Sequence, residues 1–126
     1  MDVLVVDDDA DVRRTFKKAL ERAGFAVVAV ESGLQAVAEL RERHFRAIVS
    51  DIQMEFLEGR RFFDELVSEY PEMVPRVVFA TGFADDEGIS QFLRNAGRPV
   101  LRKPVDMKEL VAVVRRVVGD PPLSIP

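Results

Sequence analysis

Asp7, Asp8 and Asp9 stand together near the start of the chain, while Asp51, Thr81 and Lys103 lie far from them and from one another in sequence. Each lies at or just beyond a short apolar run, so a fold that aligns the ends of those runs would gather an acidic cluster, a hydroxyl and an ammonium. Three carboxylates held about 5 Å apart repel by roughly 3 kcal/mol per pair at an effective dielectric of about 20, which one lysine does not cancel. Such a cluster needs a cation, or protonation. Hard oxygen ligands with positions left open for water and phosphate suit Mg²⁺, with Mn²⁺ as a substitute, better than a softer metal. A carboxylate beside such a cation can attack phosphorus and form an acyl phosphate. Lys103 and the Thr81 hydroxyl would stabilise the phosphoryl oxygens, and backbone N–H groups of the loops would complete the cradle.

The apolar runs that position these groups are Val3 to Val6, Ala26 to Val30, Ala47 to Val49, Val77 to Ala80, and Val100 to Leu101. They do not alternate with polar residues, which predicts strands covered on both faces, as in a parallel sheet. Helical spacing lies between and after them. Val12, Phe16, Leu20 and Ala23 share one face, as do Phe62, Phe63, Leu66, Val67 and Tyr70. The same holds for Ile89, Phe92, Leu93 and Ala96, and for Met107, Leu110, Val111, Val114 and Val118. Residues 33–43 form a weaker helix carried by Leu34, Val37, Ala38 and Leu40. Ser32 with Gln35 and Asp106 with Glu109 have capping-box spacing, Gly24, Gly97 and Gly119 follow helix ends, and Pro71 closes the third helix. Five alternations of strand and helix predict an α/β doubly wound three-layer sandwich with a five-stranded parallel sheet. Functional groups in such sheets collect at the carboxyl ends of the strands, where Asp7, Asp8, Asp9, Asp51, Thr81 and Lys103 all fall.

The chain has 126 residues, enough for one domain, and its 48% hydrophobic and 32% charged composition is that of a packed globular protein. A net charge of -4 argues against nucleic-acid binding by this segment. With no cysteine, thiolate metal sites and Cys nucleophiles are excluded. No signal-like start and no run of roughly 18 apolar residues is found, so no membrane segment is expected and the cytoplasm is the expected location. The expected organisation is one domain over residues 1–119, with 120–126, rich in proline, as a tail or linker stub.

Val5-Val6-Asp7-Asp8, Asp51 followed by Met54 and Gly59, Thr81-Gly82, and Lys103-Pro104 together resemble the response-regulator receiver family, from about Val3 to Val118. The resemblance implies a flavodoxin-like sheet of order 2-1-3-4-5 and a role in phosphorelay signalling rather than as an enzyme. Asp51 would be the phosphoacceptor and a metal ligand. Asp8 would bind Mg²⁺ directly, Asp7 mainly through a metal-bound water, and the backbone carbonyl of Gln53 would add a ligand. Thr81, Gly82 and Lys103 would contact the phosphoryl group, and the Lys103-Pro104 peptide would be cis. The donor would be a histidine kinase or histidine phosphotransfer domain docked near the first helix. Output would pass through the fourth helix, fifth strand and fifth helix to a downstream domain or protein, the chain acting as a monomer or phosphorylation-dependent dimer. Departures are equally specific: Val100 stands where the family usually has the aromatic residue that swings as Thr81 engages phosphate, so both are switch positions, and Glu55 replaces a frequent proline. Gln53 and Phe83 occupy positions that flank the path of the hydrolytic water.

Plainer roles compete at several positions. Asp9 suits an N-cap, Asp85, Asp86 and Glu87 suit the start of a helix rather than a second metal site, and His44 suits a helix end in solvent rather than a relay or ligand. Two rival functions are an aspartyl-phosphate phosphatase, which wants a second carboxylate where Gln53 stands, and an interaction module that no longer uses phosphate. Dinucleotide or P-loop binding fails for want of a glycine-rich turn after the first strand.

Overall fold

The computed structural model describes residues 1–52 and 56–119, with the side chains of residues 56–59 left aside. Gln53, expected as a ligand, Met54, Glu55 and the tail from Asp120 to Pro126 lie outside the described residues.

Strands β1 (Val3–Val6), β2 (Val27–Val30), β3 (Ala47–Asp51), β4 (Val77–Thr81) and β5 (Val100–Arg102) alternate with helices α1 (Ala10–Arg22), α2 (Gly33–Glu42), α3 (Phe56–Glu69), α4 (Glu87–Ala96) and α5 (Met107–Val118). The five strands form one sheet of order β2-β1-β3-β4-β5, all neighbours parallel. Because successive residues of a strand point to opposite faces, each unbroken apolar run feeds two cores. Leu4, Val6, Ile48 and Phe79 pack with Ala36, Phe62, Leu66, Ile89 and Leu93 on the α2–α4 side. Val3, Val5, Val49, Val78 and Leu101 pack with Phe16, Leu20, Leu110 and Val114 on the α1 and α5 side. Each fully buried side chain of this kind contributes about 2 kcal/mol of transfer free energy, so both faces hold the sheet rigid beneath the loops. Gly33 lets α2 come close to α3, since a methyl group there would stand 3.0 Å from Phe62 Cβ.

The helix ends largely follow their sequence signals. Asp9, Ser32, Asp86 and Asp106 are N-caps whose side chains accept backbone N–H bonds from the first turn. Gly97 (φ 66°) and Gly119 (φ 79°) close α4 and α5 in the left-handed conformation that side chains disfavour. Two details differ from expectation. Pro71 does end the region of α3, but it also opens a short 3-10 helix, Pro71–Arg76, that buries Met73. Asp51 and Thr81 are the last residues of β3 and β4 rather than the first residues beyond them, in register with Ala80 and Arg102. A ladder is made by backbone N–H and C=O groups, so a polar side chain does not end it. Among the described residues no helix is long and apolar enough to cross a membrane.

Candidate functional site

The carboxyl ends of β1, β3 and β4, with the residue after β5, converge on one point. Asp7 and Asp51 are 1% and 2% exposed, Thr81 is buried, and Asp8 faces solvent. Carboxylate oxygens of Asp7, Asp8 and Asp51 lie within 4.8 Å of one another. Lys103 enters from edge strand β5 and bridges two of them, with Nζ 2.8 Å from Asp7 Oδ2 and 3.2 Å from Asp51 Oδ2. Its backbone N–H donates to the Thr81 carbonyl at 2.9 Å, which prolongs the β4–β5 ladder to the site. The Lys103-Pro104 peptide is cis.

The loop after β1 is tightly held. Asp7 Oδ1 accepts the Asp9 N–H at 2.9 Å, so both oxygens of Asp7 are engaged, one by the backbone and one by the ammonium. Asp9 itself caps α1 and stays outside the acidic cluster. Arg13 Nη1 donates to the Asp7 carbonyl at 2.7 Å, a contact without a sequence signal because an arginine in the first turns of a helix usually faces solvent. On β4, Thr81 Oγ1 accepts the Phe83 N–H at 3.0 Å, which leaves the hydroxyl hydrogen available for donation.

Burial works to lower the Lys103 pKa, but its hydrogen bond to Asp7 and the negative charges of Asp51 and Asp7 outweigh it, and the net direction is upward. Lys103 is therefore a fixed cation at physiological pH. Three carboxylates against that one ammonium leave the cluster acidic. An all-oxygen set, part buried and part open to water, fits a hard divalent cation and offers nothing to a thiophilic one.

Other sequence-level candidates lie elsewhere. Val100, at the start of edge strand β5, is partly buried against the α2–α4 cluster, beside a cavity of about 230 Å³ lined by Ala84, Ser90, Leu93, Arg94 and Arg102. His44 is exposed. Asp86 caps α4, whereas Asp85, expected in the same cap cluster, pairs with Arg102 Nη1 at 3.0 Å.

The model of the response regulator receiver domain family matches residues 3–115. The DNA-binding transcriptional regulator NtrC of Salmonella typhimurium is 32% identical over 93% of this chain, which covers 24% of that protein. The response regulator receiver protein CpdR of Brucella abortus is 29% identical, over 92% of this chain and 95% of its own length. A CheY-like response regulator receiver domain protein from Methanospirillum hungatei superposes with a TM-score of 0.82 at 26% identity, covering 94% of this chain and 93% of that one. The chain spans about a quarter of the length of several curated relatives it matches, NtrC and the DctD regulator of Rhizobium meliloti among them.

Proposed function

Because this chain belongs to the response regulator receiver family of two-component signalling, we propose that Asp51 accepts a phosphoryl group and that Asp7, Asp8 and Asp51 hold the Mg²⁺ this requires. The observation that carries the reading is the Lys103 ammonium set between Asp7 and Asp51, in a cluster that also contains Asp8. Gln53, as a further ligand through its backbone carbonyl, belongs to the same proposal.

When bound, the cation supplies positive charge to the carboxylates and to the incoming phosphoryl oxygens. The rest is done by the chain. An Asp51 carboxylate oxygen forms the bond to phosphorus as the bond from phosphorus to the donor imidazole nitrogen breaks, and that nitrogen leaves with the bonding pair. Lys103 stays protonated throughout and turns from sharing its charge between two carboxylates to meeting a phosphoryl oxygen. The Thr81 hydroxyl donates to another oxygen while still accepting from Phe83, and the Gly82 N–H adds a donor beside it. Phe83 is 54% exposed at the rim and screens the acyl phosphate from water. As a member of the receiver family, the chain acts as a signalling domain that promotes its own modification.

The donor is a phosphohistidine on a kinase or phosphotransfer partner, and the receiver unit spans residues 1–119, with 120–126 a tail or linker stub. The readout at the α4–β5 edge differs from the family's usual one, since Val100 has no ring to swing into the cavity beside it. Incubation with Mg²⁺ and a small phosphodonor, followed by peptide mapping after borohydride reduction, tests the site. Label at Asp51 supports the proposal, and label at another residue sinks it.

A further inference from the structure

The Asp7 carbonyl lies just past the last ladder residue of β1 in a residue that is 1% exposed, so it needs a partner from outside the sheet. Arg13 supplies one from six residues away, with Nη1 at 2.7 Å. The same arginine is placed by the cap of α1, because its backbone N–H donates to the carbonyl of Asp9 at 3.0 Å. Its other guanidinium nitrogen, Nη2, stands 4.0 Å from Glu31 Oε2, just beyond β2, and its side chain is 21% exposed. The Asp7 carbonyl and the Asp8 nitrogen belong to one rigid peptide plane, so gripping the carbonyl fixes where the Asp8 residue begins. Asp8 is the exposed member of the acidic cluster, and among the described residues its carboxylate has no hydrogen bond or ion pair of the kind that holds Asp7.

We infer that Arg13 is a positioning residue for the divalent cation: it holds the Asp7–Asp8 peptide plane so that the Asp8 carboxylate is aimed at the cluster. This rests on the proposed cation site of Asp7, Asp8 and Asp51. The role runs against simple electrostatics. A guanidinium near a cation site repels the cation, so charge alone predicts that removing Arg13 tightens binding, whereas loss of positioning predicts weaker binding.

The test is calorimetric titration of the full chain with MgCl₂, for wild type, Arg13→Ala, Arg13→Lys and Glu31→Gln, with melting temperatures recorded in EDTA. The expected result is a dissociation constant raised about tenfold in Arg13→Ala, as for loss of groups that orient ligands. Arg13→Lys, which keeps the charge and one donor, falls between, and Glu31→Gln stays within about twofold because a pair at that range in water is weak. Equal or tighter Mg²⁺ binding by folded Arg13→Ala overturns the inference while leaving the cation site intact. A merely structural arginine would lower the melting temperature and leave the dissociation constant alone, which also overturns it. Absence of Mg²⁺ binding by wild type removes the cation site and the inference together.

Discussion

The two ends of the same sheet use charge in opposite ways. At the amino end the charged side chains of Asp2, Arg76 and Arg98 meet backbone partners. Asp2 Oδ2 accepts the Ala26 N–H at 2.7 Å, Arg76 donates to the Arg46 carbonyl at 3.1 Å, and Arg98 donates to the carbonyls of Val77 and Pro75 at 3.1 and 2.7 Å. Asp2 also meets Arg46, at 3.4 Å. At the carboxyl end three carboxylates crowd within 4.8 Å around a single ammonium. The first arrangement ties strands and connecting segments together. The second holds like charges close at a cost that a cation would relieve, so the rigid layers of the fold support a site that is not at its own electrostatic minimum.

The contrast is broken most severely by removing Lys103. In Lys103→Met the Asp7 and Asp51 carboxylates lose the cation that bridges them, and urea unfolding in EDTA should show a loss of about 3 kcal/mol, with phosphoryl uptake abolished. A loss below about 1 kcal/mol would mean the ammonium is not offsetting the repulsion. Asp2→Ala, at the other end, should cost about 1 kcal/mol in the same assay and leave the Mg²⁺ dissociation constant unchanged. An altered Mg²⁺ affinity in that variant would erase the distinction between the ends. Phe83→Ala should speed dephosphorylation by lowering its barrier by about 0.7 kcal/mol, roughly threefold in rate, with stability unaffected. An unchanged phosphate lifetime would remove Phe83 from the account.

The smallest effect is in pH. Because the folded state raises the Lys103 pKa, its stabilising contribution is fully present below the ordinary lysine value and is lost as pH rises through the raised one. The stability gap between wild type and Lys103→Met should therefore stay level from neutral pH to the ordinary lysine value and narrow only above it. A gap that closes near neutrality would place the titration on another group.

Much of this contrast can be read from the chain before any coordinates. Unbroken apolar runs mark strands buried on both faces, and the placement of Asp7, Asp8, Asp51, Thr81 and Lys103 at the ends of those runs puts them on one edge. The caps at Asp9, Ser32, Asp86 and Asp106 are legible because a short polar side chain just before an apolar helical stretch has one favourable use. What stays hidden are contacts whose partner is a carbonyl or a distant charge. Arg13 on the Asp7 carbonyl has no sequence pattern, since every residue carries a carbonyl, and the pairing of Asp85 with Arg102 depends on how the β4–α4 loop lies over β5. The 3-10 helix at Pro71–Arg76 is missed because a proline signals an end and a beginning equally well. Phe45 next to exposed His44 escapes notice as a core residue because it stands alone, outside any periodic run.

The most direct measurement is the intact mass of wild type and Asp51→Asn after incubation with Mg²⁺ and a small phosphodonor. One added phosphoryl group on wild type and none on the folded variant is the result expected of a charge-crowded acceptor end. Equal modification of both proteins, or of neither, would contradict it.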